Sequence, residues 1–484
     1  MSSRILPLLY LILSLFAMAG CSSPSSRKSE RPPNIIYILA DDMGYGDLGC
    51  WGQQRFDTPH IDALASGGMR FTQHYSGSTV CAPSRSSLMT GLHTGHTPIR
   101  GNKEIQPEGQ EPLPAETVTL PEVLKRNGYA TGAFGKWGLG PPGSEGDPIH
   151  QGFDEFFGYN CQRYAHNYYP YHLWHNDHRV ELKENAGNAE GVYAPELIQE
   201  KTLAFIEQNQ NEPFFLFVPH VIPHAEMIVP EEYMARFRGK FLPESSFDGT
   251  DFGEPRFRIG PYGSQTEAHA AFVGMVTMLD DHVGQIVAKI NEFGLAEDTL
   301  IIFTTDNGPH QEGGHNPDYF DSNGPLRGYK RDLYEGGIRV PMIAKWPGTI
   351  NANTESDHIS AFWDILPTLA EAAGIELSEP VDGISFIPTL TEKGTQTKHD
   401  FLYWEFHERG GRQAIRKGNW KGVKYDINNI PGAKLELYDL SKDIDETTNL
   451  VAEFPDVVEE LEFLLNAASV PSPIEKFNFN PPIK

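Results

Sequence analysis

A chain of 484 residues, 39% of them hydrophobic, is long enough to bury a large core and to divide into more than one domain. Its 39 Lys and Arg against 65 Asp and Glu give a formal net charge of −26, which argues against general nucleic-acid binding, a role that needs a basic face. A small anionic substrate stays compatible, because a site needs only a few local cations.

Residues 1–20 read as an export leader, with Arg4 as the positive start, an apolar run over 6–17 and the small-residue pattern Met18-Ala19-Gly20 before Cys21. That ending resembles a bacterial lipobox. The resemblance implies a lipidated Cys21 as the first mature residue and a place in the bacterial cell envelope, facing the periplasm or the cell surface, with membrane contact through that lipid alone. A plain signal peptide or a single anchor helix is the alternative, although the run is short for a span. Residues 21–33, rich in Ser, Arg, Lys and Pro, form a flexible tether. Of four cysteines, Cys50, Cys81 and Cys161 then remain, an odd set without the spacing of a disulfide framework or a zinc pair. Cys50 and Cys161 are expected in the core.

The continuous apolar run 34–40 predicts a central parallel strand buried on both faces. It ends in Asp41-Asp42, followed by Met43-Gly44. Adjacent carboxylates at the carboxyl end of a buried strand need a cation or hydrogen bonds to offset their burial, and ligands of open α/β sheets bind at that edge. An Asp-Gly turn with solvated acids is the plainer reading. A helix over 58–66 and a strand over 70–75 lead to Cys81-Ala82-Pro83-Ser84-Arg85, the entry to a short helix that Gly91 closes. Cys81 at a helix N-terminus with Arg85 one turn on suits an anion. By itself Cys81 is either a small buried residue or a thiolate with a lowered pKa.

A helix over 119–127 carries Thr119 as its cap. The strand over 129–134 runs into Gly135-Lys136-Trp137-Gly138-Leu139-Gly140, which places a lysine between glycines at a strand end. Residues 164–178 are dense in Tyr, His, Asn and Trp, and stand as either a sugar-facing loop or a packed insertion. After a helix over 194–208, the buried strand 214–218 reaches Pro223-His224. A long loop is expected over 241–263, and an amphipathic helix over 266–292 whose Asp280-Asp281 pair belongs to a solvated or capped face. Strand 299–305 ends in Asp306-Asn307-Gly308-Pro309-His310. Asp41, Asp42, Asp306 and Asn307 thus put hard oxygen donors on two strand ends of one sheet edge, a set suited to calcium or magnesium. A lysine, Lys330, follows Arg327, and a strand follows over 342–346. A helix over 364–373 precedes a polar stretch near 391–398, where a boundary divides 34–395 from 396–484. The second part carries four short antiparallel strands and a closing helix.

Taken together, Cys81-Ala82-Pro83-Ser84-Arg85 with Thr90-Gly91, the Lys136 segment, Pro223-His224 and the block 323–341 resemble the motifs of type I sulfatases, in the same order. The resemblance implies an α/β fold of the alkaline-phosphatase type, a mostly parallel sheet between helices, with a smaller C-terminal α+β domain carrying an antiparallel sheet. It implies that Cys81 is oxidised to formylglycine by a formylglycine-generating or anaerobic sulfatase-maturating enzyme, and that the hydrated aldehyde attacks sulfur. One calcium ion is implied at Asp41, Asp42, Asp306, Asn307 and residue 81. Arg85, Lys136 and Lys330 would stabilise charge, and His224 would protonate the leaving alcohol. Gly138 departs from the pattern, which has a histidine there, and His310 or His315 is the expected substitute unless the position is opened for substrate. A sulfated carbohydrate is the implied substrate, with galactose or N-acetylgalactosamine sulfate as the narrower expectation. His310, His315, Arg327 and residues 164–178 are candidate sugar contacts. A phosphonate or phosphate monoester hydrolase on the same scaffold, or a non-catalytic lipid-anchored glycan-binding protein, are the alternatives.

Overall fold

Asn34–Ala40, the first strand, is buried at all seven residues and lies at the middle of an eleven-stranded sheet. The computed structural model describes residues 31–479 apart from residue 107. The leader, Cys21 and residues 22–30 of the tether lie outside the described residues.

Five parallel strands form the sheet centre, in the spatial order Thr299–Thr305, Asn34–Ala40, Phe214–Pro219, Ala130–Lys136 and Glu155–Tyr159. Antiparallel strands flank them. Arg339–Lys345 and Met69–Tyr75 lie on one side, and the hairpin His172–His175 with His178–Glu181 lies on the other. Short strands Thr354–Ser356 and Ser360–Ala361 pair with Met69–Tyr75 at the outer edge.

Side chains alternate across a strand, and this alternation divides the core in two. Ile36, Ile38, Leu216 and Val218 join Leu64, Ile198, Phe272 and Leu279, from the helices Pro59–Ser66, Ala194–Asn209 and Ala268–Glu292. On the other face, Ile35, Tyr37, Leu39 and Phe217 join Leu88, Leu124 and Leu369, from Cys81–Thr90, Leu120–Arg126 and Ile365–Ala372. Apolar residues on both faces of the central strands therefore require helices on both, as the sequence predicts.

A second sheet of four antiparallel strands, Leu402–Phe406, Arg412–Lys417, Trp420–Lys424 and Glu436–Asp439, follows the polar stretch. One face, with Trp404, Ala414 and Val423, packs on Tyr75, Val80, Ile338 and Trp363. The other, with Tyr403, Ile415 and Leu437, is closed by Leu461 and Leu465 of the helix Pro455–Ala467.

Two expectations change. The aromatic segment 164–178 is no loop throughout: His172–His175 pairs with Glu155–Tyr159 and extends the sheet. Asp280 is buried, and accepts the backbone N–H groups of His60 (3.1 Å) and Ile61 (2.8 Å). It thereby satisfies donors at the start of a neighbouring helix that Thr58 does not cap with its own side chain.

Candidate active site

The carboxyl ends of the central strands supply the site. Ala40 stands opposite Thr305 and Leu39 opposite Pro219 in the ladder, so the residues that follow emerge side by side. The backbone N–H of Asp42 donates to Asp306 Oδ1 at 3.1 Å, and Asn307 Nδ2 donates to Asp42 Oδ1 at 2.7 Å. Asp42 has φ 64°, a left-handed conformation that Asp tolerates better than most residues.

Met69–Tyr75 feeds Cys81–Thr90 into the same edge, and all ten residues of that helix are buried. The Cys81 thiol lies 3.5 Å from Asp41 Oδ1, and Lys136 Nζ lies 3.4 Å from the sulfur and 2.7 Å from Asp41 Oδ2. One turn beyond Cys81, Arg85 donates to Asp306 Oδ2 through Nε (3.2 Å) and Nη2 (2.9 Å), and to the carbonyl of Lys136. Lys330 Nζ bonds Asp42 Oδ2 (2.6 Å), His224 Nε2 (3.0 Å) and Glu312 Oε2 (3.2 Å). His224 Nδ1 contacts the carbonyl of Ala225, which can only accept, so that nitrogen carries the proton and Nε2 accepts from Lys330.

Charge balance in this dry cluster sets its protonation. Burial works to raise the carboxyls of Asp41 and Asp42, but Lys136 and Arg85 beside the first, and Lys330 beside the second, outweigh it and hold both below the ordinary value. Asp306 goes the other way, pushed up to about 7 by burial and then by the charge of Asp41, despite Arg85. For His224, burial and then the Lys330 ammonium hold the ring well below its usual pKa and neutral. Lys330 keeps its proton, since Asp42 and Glu312 override burial. Burial pushes the Cys81 thiol up, and Lys136 does not compensate. Burial and the touching Asp41 carboxylate work against the thiolate reading of Cys81, and the helix N-terminus and Lys136 work for it.

Asp41, Asp42, Cys81, Arg85, Lys136, His224, Asp306, Asn307 and Lys330 all converge here. Of the weaker candidates, His310 lines the cluster with its ring 5.7 Å from that of His224, but both its nitrogens are committed. Nδ1 accepts the N–H of Glu312 and Nε2 donates to the carbonyl of Pro223, each at 3.1 Å. His315 is buried and stacks on Phe272 at 3.9 Å. Arg327 is exposed and contacts the C-terminal sheet. It lies over Tyr334 at 3.7 Å and donates to Tyr438 Oη and the Glu446 carbonyl, fastening the C-terminal sheet.

Of the two histidines, His310 has no free nitrogen, and His315, with both nitrogens unpartnered among the described residues, is buried against Phe272, so the structure assigns neither to the place of the histidine missing at Gly138. That glycine has φ 79°, and a Cβ added to it would meet Gln162 at 3.1 Å, so Gln162 already fills the space. Sequence reading missed Glu312, the second carboxylate on Lys330, and covered His166, whose ring lies parallel to His224 at 5.1 Å, only as part of the candidate segment 164–178. Glu312 stands two residues after His310 with no periodic signal, and His166 sits in the segment whose two readings stayed open.

A hard divalent cation fits this donor set. Asp41, Asp42 and Asp306 offer carboxylate oxygens, and Asn307 Oδ1 is buried with no partner among the described residues. Ligand atoms of Asp41, Asp42, Cys81 and His224 lie within 4.8 Å of one another.

The family model Sulfatase matches residues 33–375, and the model N-sulphoglucosamine sulphohydrolase, C-terminal, matches 328–469. Arylsulfatase A of Homo sapiens is 32% identical over 474 residues, covering 90% of this chain and 87% of that protein. N-acetylgalactosamine-6-O-sulfatase of Bacteroides thetaiotaomicron is 29% identical over 550 residues, covering 96% and 98%. The crystal structure of Ps i-CgsB in complex with k-i-k-neocarrahexaose is similar at TM-score 0.74 and 27% identity, over 90% of this chain and 93% of that one. A parallel sheet whose carboxyl edge gathers these motifs, matched along most of its length by proteins of one kind, makes this chain a member of the sulfatase family and a sulfuric ester hydrolase.

Proposed function

We propose that this sulfatase acts on sulfate esters of carbohydrates, with Cys81 converted to formylglycine and calcium held by Asp41, Asp42, Asp306, Asn307 and residue 81. The observation that carries this reading is the place of Cys81. Its sulfur sits in the cation and carboxylate cluster, 3.5 Å from Asp41 Oδ1 and 3.4 Å from Lys136 Nζ, where burial pushes the thiol up and away from the nucleophilic form. Oxidation to an aldehyde would supply, on hydration, a pair of geminal hydroxyls, one to attack sulfur and one to expel sulfate afterwards. Calcium in the oxygen cage would supply positive charge to polarise a sulfate oxygen and to favour ionisation of a hydroxyl at residue 81.

The chain's own residues do the rest. Lys136, held charged by Asp41, donates toward residue 81, and Arg85 fixes Asp306 and the Lys136 backbone in one rigid frame. His224 is neutral, with Nδ1 on the Ala225 carbonyl and Nε2 accepting from Lys330, so the proton for the leaving oxygen comes from the Lys330 ammonium, which His224 orients. A carbohydrate substrate is supported by the names of the similar proteins, which include an N-acetylgalactosamine-6-O-sulfatase and a protein bound to a neocarrahexaose. Galactose or N-acetylgalactosamine sulfate is our narrower reading. Lipidation at Cys21, export to the bacterial envelope and maturation of Cys81 by a formylglycine-generating or anaerobic enzyme complete the proposal.

Peptide mass spectrometry spanning residues 81–85 of active protein tests it, beside turnover of position-defined sulfated sugars and their phosphate analogues. An aldehyde at residue 81 and preference for the sulfate are expected. Full activity with an intact thiol, or preference for the phosphate, would refute the reading.

A further inference from the structure

His166 ends the turn Tyr164–His166, just after the last parallel strand. Its ring stacks on His224 with 5.1 Å between centroids and 9° between planes, and lies 5.0 Å from the ring of Tyr262. Nδ1 is 2.9 Å from the carbonyl of Gly260, in the 241–263 segment. A carbonyl accepts only, so Nδ1 carries the proton and Nε2 holds the lone pair. No hydrogen bond from a described residue reaches Nε2. His224 and His310, by contrast, have both nitrogens engaged, and His315, whose nitrogens also lack partners among the described residues, is buried and faces Phe272.

Position separates His166 from the reacting centre. His224 is 2% exposed and touches Asp42 and Lys330, whereas His166 is half-buried and one ring further out. Sulfur must sit at the carboxylate and residue 81 end. The alcohol being released then lies on the outward side, alongside His166 and Tyr262. A lone pair held there by a fixed backbone contact, beside an aromatic face, matches a sugar that offers a hydroxyl or amide N–H.

We propose that His166 is a substrate-contacting residue, whose Nε2 accepts a hydrogen bond from a hydroxyl or amide N–H of the sugar that bears the sulfate. This rests on the carbohydrate sulfatase reading above. Burial, followed by the charges of Lys136 and Lys330, holds the ring to a pKa of about 4 and keeps it in the accepting form at neutral pH.

The test compares wild type and His166→Phe, which keeps a flat ring in the stack and lacks the acceptor. Each is assayed on the best position-defined sulfated sugar and on 4-nitrophenyl sulfate, which has no hydroxyl or amide to offer. His166→Ala serves as a second variant, and thermal unfolding checks that each is folded. Losing one neutral hydrogen bond should lower kcat/KM on the sugar about tenfold more than on the aryl sulfate, mainly through KM. Equal losses on the two substrates would overturn the proposal, as would no loss on the sugar. Wild type inactive on both substrates would instead bring down the sulfatase reading of the site, and this proposal with it.

Discussion

His224 and Lys330 form a unit whose parts have little use alone. Each removes the other's freedom: Lys330 donates to His224 Nε2, and the same ammonium, added to burial, keeps the ring neutral. His224→Ala and Lys330→Ala should each lower kcat by roughly 10² to 10⁴-fold. Because His224 acts by orienting the Lys330 ammonium, the double variant should lose little more than either single one. Stopped-time assays on a sulfated sugar check this, and losses that multiply would mean that the two residues act separately. Asp306 carries a second prediction. Its folded pKa of about 7 compares with about 4 for an unfolded Asp, so the metal-free folded protein binds this proton more tightly than the unfolded chain. The residue therefore costs stability progressively as pH rises from about 4 to about 7. A divalent cation relieves that cost and competes with the proton. The rise in melting temperature on adding calcium to chelator-treated protein should then be larger at pH 8 than at pH 5. A shift independent of pH would place the cation elsewhere. The strand-end carboxylates were legible in the sequence because two adjacent acids after a buried apolar run have few physical justifications. The Lys330 to Glu312 contact was not, since the intervening loop has no periodicity to project it into space.

Elements were legible where their periodicity answers to a single neighbour. The 34–40, 214–218 and 299–305 runs form strands because their side chains are mostly apolar, every one is buried and both faces are covered. The outer hairpin from His172 was missed because its residues are polar and aromatic in equal measure, as suits a sheet edge. The seam between the two sheets was also hidden. Glu335, at the entry to Arg339–Lys345, meets Lys421 of the second sheet at 2.7 Å, and both side chains are fully buried. Arg339 and Tyr75 add to the same carboxylate. Burial would raise Glu335, but Lys421 and Arg339 hold it down to about 2. Lys421→Met leaves the buried Glu335 charge to Arg339 and Tyr75 alone, which should cost about 3 kcal/mol, the low end for a broken buried pair. Adding Glu335→Gln removes that charge, so the double variant should be more stable than Lys421→Met alone. Urea midpoints decide it, and a double variant that is the weaker of the two would show that the seam depends on packing around Glu335 rather than on charge pairing.

At the scale of the whole molecule, the formal charge of −26 surrounds a site built to take an anion. The site's cations do not project far, because Arg85, Lys136 and Lys330 are buried and each is paired with a carboxylate. Composition argues against a basic face but says nothing of the local cations, which come from a helix, a strand end and a turn far apart in sequence. Long-range electrostatics should therefore repel a sulfated chain while short-range contacts hold its sulfate. Salt screens the first over about 8 to 10 Å at physiological strength and leaves buried contacts largely untouched. For a multiply sulfated oligosaccharide, kcat/KM should rise between about 10 mM and about 150 mM sodium chloride. The rise should be smaller for a monosulfated sugar, which carries less charge through the same field. Initial rates at low substrate concentration measure both. A fall with salt for the longer substrate would reveal a cationic track on the surface that outweighs the net charge, and would move the search for further sugar contacts from the 164–178 wall to that track.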